Sequence, residues 1–119
     1  MAAIAASLAV MVGRNSSTWP EGADVAASAE VLRARLLVLA DEDVVVVGAV
    51  IAATRSGRRV EGGADLVAAL LRSSEVPLEI AEGAAEVAVL ARVAARAGKP
   101  PMRADAAAAA TLAASASAV

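Results

Sequence analysis

The sequence predicts an all-α protein, a compact bundle of about four to six helices with no sheet, and three observations carry that expectation. About three residues in ten are alanine, the side chain that costs a helix least. Hydrophobic residues make up 59% of the chain, yet Trp19 is its one aromatic. The core must therefore be built from Ala, Val and Leu, whose small side chains let helix axes approach closely. Apolar positions also recur at steps of three and four rather than two. At 119 residues the chain is long enough for one core and too short for two ordinary domains, so residues 1–119 read as a single helical domain. A core without large side chains buries less area per residue, so stability should lean on a partner, and a homodimer is expected.

The first helix runs from about Ala2 to Val12, and NSSTWPEG, Asn15 to Gly22, breaks it, since polar residues and Pro20 cluster there. The second helix runs from about Asp24, with Asp24 or Gly22 as its cap, to Thr54. Within it, Val44 to Val47 followed by Gly48 reads by itself as a strand ending in a turn. Leu32, Leu36, Leu39, Asp43, Val46, Val50 and Ala53, however, fall at alternating steps of four and three, the spacing of a helix seam. A lone strand would also have nothing to pair with. The helical reading prevails, and it puts Asp43 on the apolar seam.

RSGRRVEGG, Arg55 to Gly63, interrupts the pattern, and ADLVAALLRSS resumes it. Pro77 then either opens a new helix within its first turn or kinks a continuous one. In AGKPP, Gly98 is a natural C-cap with prolines just beyond, and RADAAAAATLAASASAV is a final helix.

The residue inventory restricts the chemistry. With no cysteine and no histidine, the commonest thiolate, acid–base and metal-ligand groups are missing, so no metal or cofactor is expected. Any reaction would run on carboxylates, one lysine, hydroxyls and backbone amides. A net charge of −2 with scattered basic residues offers neither nucleic acid nor an anionic membrane a polybasic face. The apolar N-terminus lacks the basic start of a signal peptide, and Arg14 ends it short of a bilayer span, so a cytoplasmic location is expected.

A carboxylate on an apolar stripe costs free energy unless it is paired, and such groups are often where acid–base work is done, so Asp43 is the sharpest candidate. Its bland alternative is a water-filled gap or an arginine partner. Asp41 lies on a neighbouring row and can share the same cleft, whereas Glu42 is expected to face solvent. Lys99 and Arg103 form a second constellation, suited to gripping a substrate carboxylate, with Asp105 beside them near a helix N-terminus. Capping and the helix dipole account for much of Asp105. Glu79, Glu82 and Glu86, with Arg72, Arg92 and Arg96, read as a solvated, ion-paired face.

RARLLVLADEDVVVVGAVIAATR, SEVPLEIAEGAAEVAVLA and AGKPPMRADAAAAATLA, taken in order, resemble segments of the cyclodeaminase/methenyltetrahydrofolate cyclohydrolase family. Typical members carry an Asp-Glu-Asp element, then Val-Pro-Leu, then a Gly-Asn-Pro…Ser-Asp loop opening a helix. Here Gly98, Pro100 and Asp105 match that loop, while Lys99 stands in place of asparagine, Pro101 in place of a polar residue and Ala104 in place of serine. The family's Pro-Gly-Gly-Gly-Ser loop has no counterpart in the chain. The resemblance implies an all-α homodimer acting on folate derivatives, which are substrates rather than cofactors. It implies two reactions: cyclodeamination of formiminotetrahydrofolate and hydrolysis of methenyltetrahydrofolate. It further implies Asp43 and Asp105 as catalytic carboxylates, Lys99 or Arg103 at the folate's glutamate tail, and Asp41 at the substrate. The alternative is a catalytically degenerate helical dimer that binds a ligand or another protein.

Overall fold

Four helices follow one another without a strand among the described residues, which in this computed structural model are 1–55 and 63–118. They are α1 (Ala2–Asn15), α2 (Gly22–Arg55), α3 (Gly63–Ala97) and α4 (Arg103–Ser117), with a 3₁₀ turn at Pro100–Met102 before the last. The break expected at RSGRRVEGG lies, for residues 56–62, outside the described residues. No described helix is long and apolar enough to cross a membrane.

Local chemistry sets the junctions. After α1 the backbone N–H of Trp19 donates to the Ser16 carbonyl, and that of Gly22 donates to the Trp19 carbonyl, so two tight turns carry the chain into α2 with the indole buried beneath them. α1 and α2 cross closely at a glycine pair: a Cβ on Gly13 would lie 2.5 Å from the Gly22 carbonyl oxygen, and one on Gly22 would lie 2.8 Å from that of Gly13. α3 continues through Pro77 as one helix. Proline has no N–H for the Ser73 carbonyl, and next to this interruption the Ser73 and Ser74 hydroxyls both donate to the Leu70 carbonyl.

α1 packs on α2, α2 on α3, α3 on α4 and α4 on α1, making a four-helix bundle with α1 and α3 close across one diagonal. The seam read from the sequence faces inward. Leu32, Leu36, Leu39 and Val46 are buried, and Asp43, Val50 and Ala53 are half-buried. The core has small side chains throughout. Ala5, Ala6, Ala84 and Ala113 sit with Leu32, Leu36 and Val87, while Val12, Trp19, Val25, Ala94 and Ala106 fill the end near the first turn.

The bundle occupies only part of the length. α1 and α4, with 14 and 15 residues, span about 21–23 Å, whereas α2 and α3, with 34 and 35 residues, reach about 51–53 Å at 1.5 Å per residue. α2 and α3 therefore continue past the bundle as a two-helix arm from about Leu37 and Ile80 outward. The overall extents are 62 × 21 × 14 Å, and the radius of gyration of 18.0 Å exceeds the roughly 13–14 Å usual for this length.

Candidate functional site

Asp41, Glu42 and Asp43 sit where α2 leaves the bundle, and the helix sends them three ways. Asp41 is exposed. Asp43 takes the seam position between the buried Leu39 and Val46, opposite Val76 and Ile80 of α3. Its half-buried carboxylate makes no ion pair or hydrogen bond among the described residues.

Glu42, expected to face solvent, instead crosses to α3. The Nε of Arg72 donates to its Oε1 at 2.6 Å, while Nη1 of the same guanidinium donates to Glu79 Oε1 at 2.6 Å and to Glu75 Oε2 at 3.3 Å. Arg35 on α2 completes the chain, 3.9 Å from Glu79 Oε2. The carboxylates of Glu79 and Glu42 hold the Arg72 proton above the ordinary arginine range. Arg72 and Glu79 were thus legible in part, as members of an ion-paired face, whereas the place of Glu42 in it was not. Arg35 and Glu42 are seven residues apart, as are Arg72 and Glu79, with charges that match when the two helices run antiparallel. That heptad flank pattern was the available signal.

The second cluster lies at the opposite end of the molecule. The buried Ser16 hydroxyl accepts the Lys99 backbone N–H at 2.9 Å, which ties the loop after α3 to the end of α1. The Lys99 side chain remains exposed. Arg103 donates from Nε to the Gly98 carbonyl at 3.1 Å, closing the C-terminus of α3, and is otherwise exposed. Asp105 is half-buried in the first turn of α4, where the helix dipole favours a carboxylate; Met102, not Asp105, is the cap.

One subunit does not bring the two clusters together. Asp105 adjoins Ala106, which packs at the level of Val25. Asp43 is 18 residues further along α2 than Val25, about 27 Å away at 1.5 Å per residue.

The surface also carries shallow grooves. One of about 500 Å³ runs between α2 and α3, lined by Ser28, Val31, Leu32, Glu86, Val89 and Leu90. Another, of about 550 Å³, surrounds the first turn and is lined by Arg14, Ser16, Ser17, Trp19 and Pro20, among others. Neither is lined by Asp41, Asp43, Lys99, Arg103 or Asp105.

No curated protein and no solved structure matches the chain. A family does: the formiminotransferase-cyclodeaminase model matches residues 1–119, the whole length. On that match, with an all-α fold, the chain belongs to the formiminotransferase-cyclodeaminase family, and the domain is folate-related.

Proposed function

We propose that this domain acts on a folate carrying a one-carbon unit, closing formiminotetrahydrofolate with loss of ammonia or hydrolysing the methenyl bridge, with Asp43 as the acid–base carboxylate. The family match over the whole chain carries the reading. Asp43 supports it as a half-buried carboxylate with no ion pair or hydrogen bond among the described residues. In hydrolysis, Asp43 takes a proton from water as its oxygen bonds to the amidinium carbon. It returns that proton to the folate nitrogen as the carbon–nitrogen bond breaks, and the hydroxyl proton passes to solvent as the formyl carbonyl forms. While ionised, it also stabilises the cationic carbon. In cyclodeamination, the folate amine adds to the formimino carbon and the same carboxylate carries a proton to the departing ammonia.

With Asp105 about 27 Å from Asp43, the two carboxylates of one subunit serve different places. Asp41, exposed beside Asp43, contacts the substrate, while Lys99 and Arg103 suit a substrate's anionic tail at the far end, where Asp105 is the carboxylate available to a cationic or proton-transferring group. The assembly this reading carries is a homodimer in the cytoplasm, with a folate-type small molecule as its partner.

That same separation favours a second reading, a degenerate member that keeps the helix packing as a binding module without turnover. Titration with tetrahydrofolate derivatives, followed by loss of methenyl absorbance, separates the two. The enzyme reading expects binding and turnover that Asp43→Asn abolishes. Binding without turnover supports the degenerate reading, and no binding at high micromolar folate eliminates the enzyme.

A further inference from the structure

Asp43 stands in a thinly packed stretch of the molecule. The last buried residue of α2 is Val46 and the first described buried residue of α3 is Val76. Leu39, Val46 and Val76, with Ile80 beside them, are the buried contact that sets α2 against α3 around the carboxylate. Such contact draws two helices together, but it has no direction and resists their rotation and sliding weakly.

Direction comes from the charges. Arg72 donates from Nε to Glu42 Oε1 at 2.6 Å, Nη2 lies 2.6 Å from the same oxygen, and Nη1 donates to Glu79 at 2.6 Å. Glu42 belongs to α2 and immediately precedes Asp43, whereas Arg72 and Glu79 belong to α3 and bracket Val76, which Asp43 faces. Among the described residues no other side-chain hydrogen bond joins α2 to α3. Glu75 also accepts from Nη1, at 3.3 Å, but it lies three residues along the same helix and ties nothing to α2. Every nitrogen of the guanidinium thus faces a carboxylate other than Asp43, so this cation is engaged and Asp43 keeps no ion pair.

We infer that the Arg72–Glu42 tie is the positioning device for Asp43, fixing the rotation of α2 and its height on α3 so that the carboxylate is held in the seam. For what Asp43 does, the inference rests on the functional reading above; for how it is held, it rests on the geometry alone.

Rotation is the sensitive quantity. On a helix of about 5 Å radius, turning α2 by roughly 30° moves a side chain by about 2.5 Å. A misplacement of about 1 Å already costs a positioned group on the order of 100-fold in rate. Glu42, one residue away, reports the same rotation through charge-assisted hydrogen bonds, which are short and directional.

Three substitutions separate the tie from the rest of the network. Glu42→Ala removes it, and Glu42→Gln keeps an oxygen for Nε to donate to. Glu75→Gln changes the same guanidinium's surroundings without touching α2, and serves as the control. The absence of native cysteine supplies a readout independent of folate. In an Asp43→Cys background, iodoacetamide alkylation reads how far the seam opens. Glu42→Ala should speed it by about tenfold, less than loss of a fully buried pair would, because the tie is half-exposed. Glu75→Gln should leave the rate unchanged, and Glu42→Gln should fall between. With Asp43 intact, Glu42→Ala should lower kcat for methenyltetrahydrofolate on the order of 100-fold with KM unchanged. Glu42→Gln should recover much of that loss, and Glu75→Gln should show none. Circular dichroism melts place every assay well below each variant's Tm.

Equal alkylation of Asp43→Cys with and without Glu42→Ala overturns the inference. So does a Glu75→Gln variant that loses as much kcat as Glu42→Ala, since the network would then be a general stabiliser. A wild type that binds folate without turnover removes the chemistry assigned to Asp43, while the alkylation rates still decide whether the tie holds that position.

Discussion

Replacing Gly13 with alanine tests whether the α1–α2 crossing is as tight as the structure places it. The new Cβ would lie 2.5 Å from the Gly22 carbonyl oxygen, 2.9 Å from the Ala26 Cβ and 3.0 Å from the Ala26 nitrogen. Two of these three atoms are backbone, so no rotamer change relieves the contact and the helices must separate by up to about 1 Å to restore van der Waals distances. That shift loosens the Trp19 cluster and pulls at the Ser16–Lys99 hydrogen bond. Overpacking of this kind costs about 3 kcal/mol at the upper end of its usual range. Alanine's helix propensity returns about 1 kcal/mol, so the net loss is about 2 kcal/mol, or a fall of roughly 8 °C in Tm. Gly48 is the internal control. It is also helical, but a Cβ there meets nothing within 4 Å, so Gly48→Ala should gain up to about 1 kcal/mol from propensity alone. Urea denaturation of both variants reads the two signs. Were Gly13→Ala as stable as Gly48→Ala, the close crossing would be wrong, and with it the placement of the first turn.

Ser16→Ala removes the buried acceptor of the Lys99 N–H and should cost about 1–3 kcal/mol, measured by urea denaturation. Arg72→Met should destabilise the arm before the bundle, seen as faster amide exchange in residues 66–80, and the effect should shrink at high salt because the ion pairs are half-exposed. Its hydrogen bond to Arg33 holds the Glu30 carboxyl below its ordinary value of 4.5. A folded-state value below the unfolded one stabilises above that value and is lost as pH falls through it. A small loss of Tm below about pH 4.5, absent from Glu30→Gln, is therefore expected.

The helices were legible because alanine propensity and the four-three seam agree, and tertiary packing overrides valine's preference for strands, as the buried Val46 shows. Two things were not. Pro77 left open whether one helix or two follow residue 63, since a proline's local cost does not reveal whether neighbouring groups offset it. The distance between Asp43 and Asp105 was equally hidden, because it depends on which bundle end each occupies. The sequence places both in helical segments; only the topology sends one to the arm and the other to the first turn. Glu42 was misread for a related reason. A residue one step off a seam looks solvated until the partner helix supplies an arginine at the matching flank.

Asp43 remains the position where stability and function pull apart. Between Leu39 and Val46, facing Val76 and Ile80, the packing asks for an aliphatic side chain, and the carboxylate there has no cation or hydrogen-bond donor among the described residues. An ion pair would have made Asp43→Leu strongly destabilising by stranding its partner. Here no cation among the described residues is stranded, so burying the leucine should raise stability by about 1–2 kcal/mol. A residue that lowers stability where a common alternative would raise it has the character of a functional group. Asp43→Leu should therefore melt higher than wild type while losing all methenyltetrahydrofolate turnover. A higher melting point with turnover intact would remove Asp43 from the chemistry, and a lower one would show that the carboxylate holds the arm together.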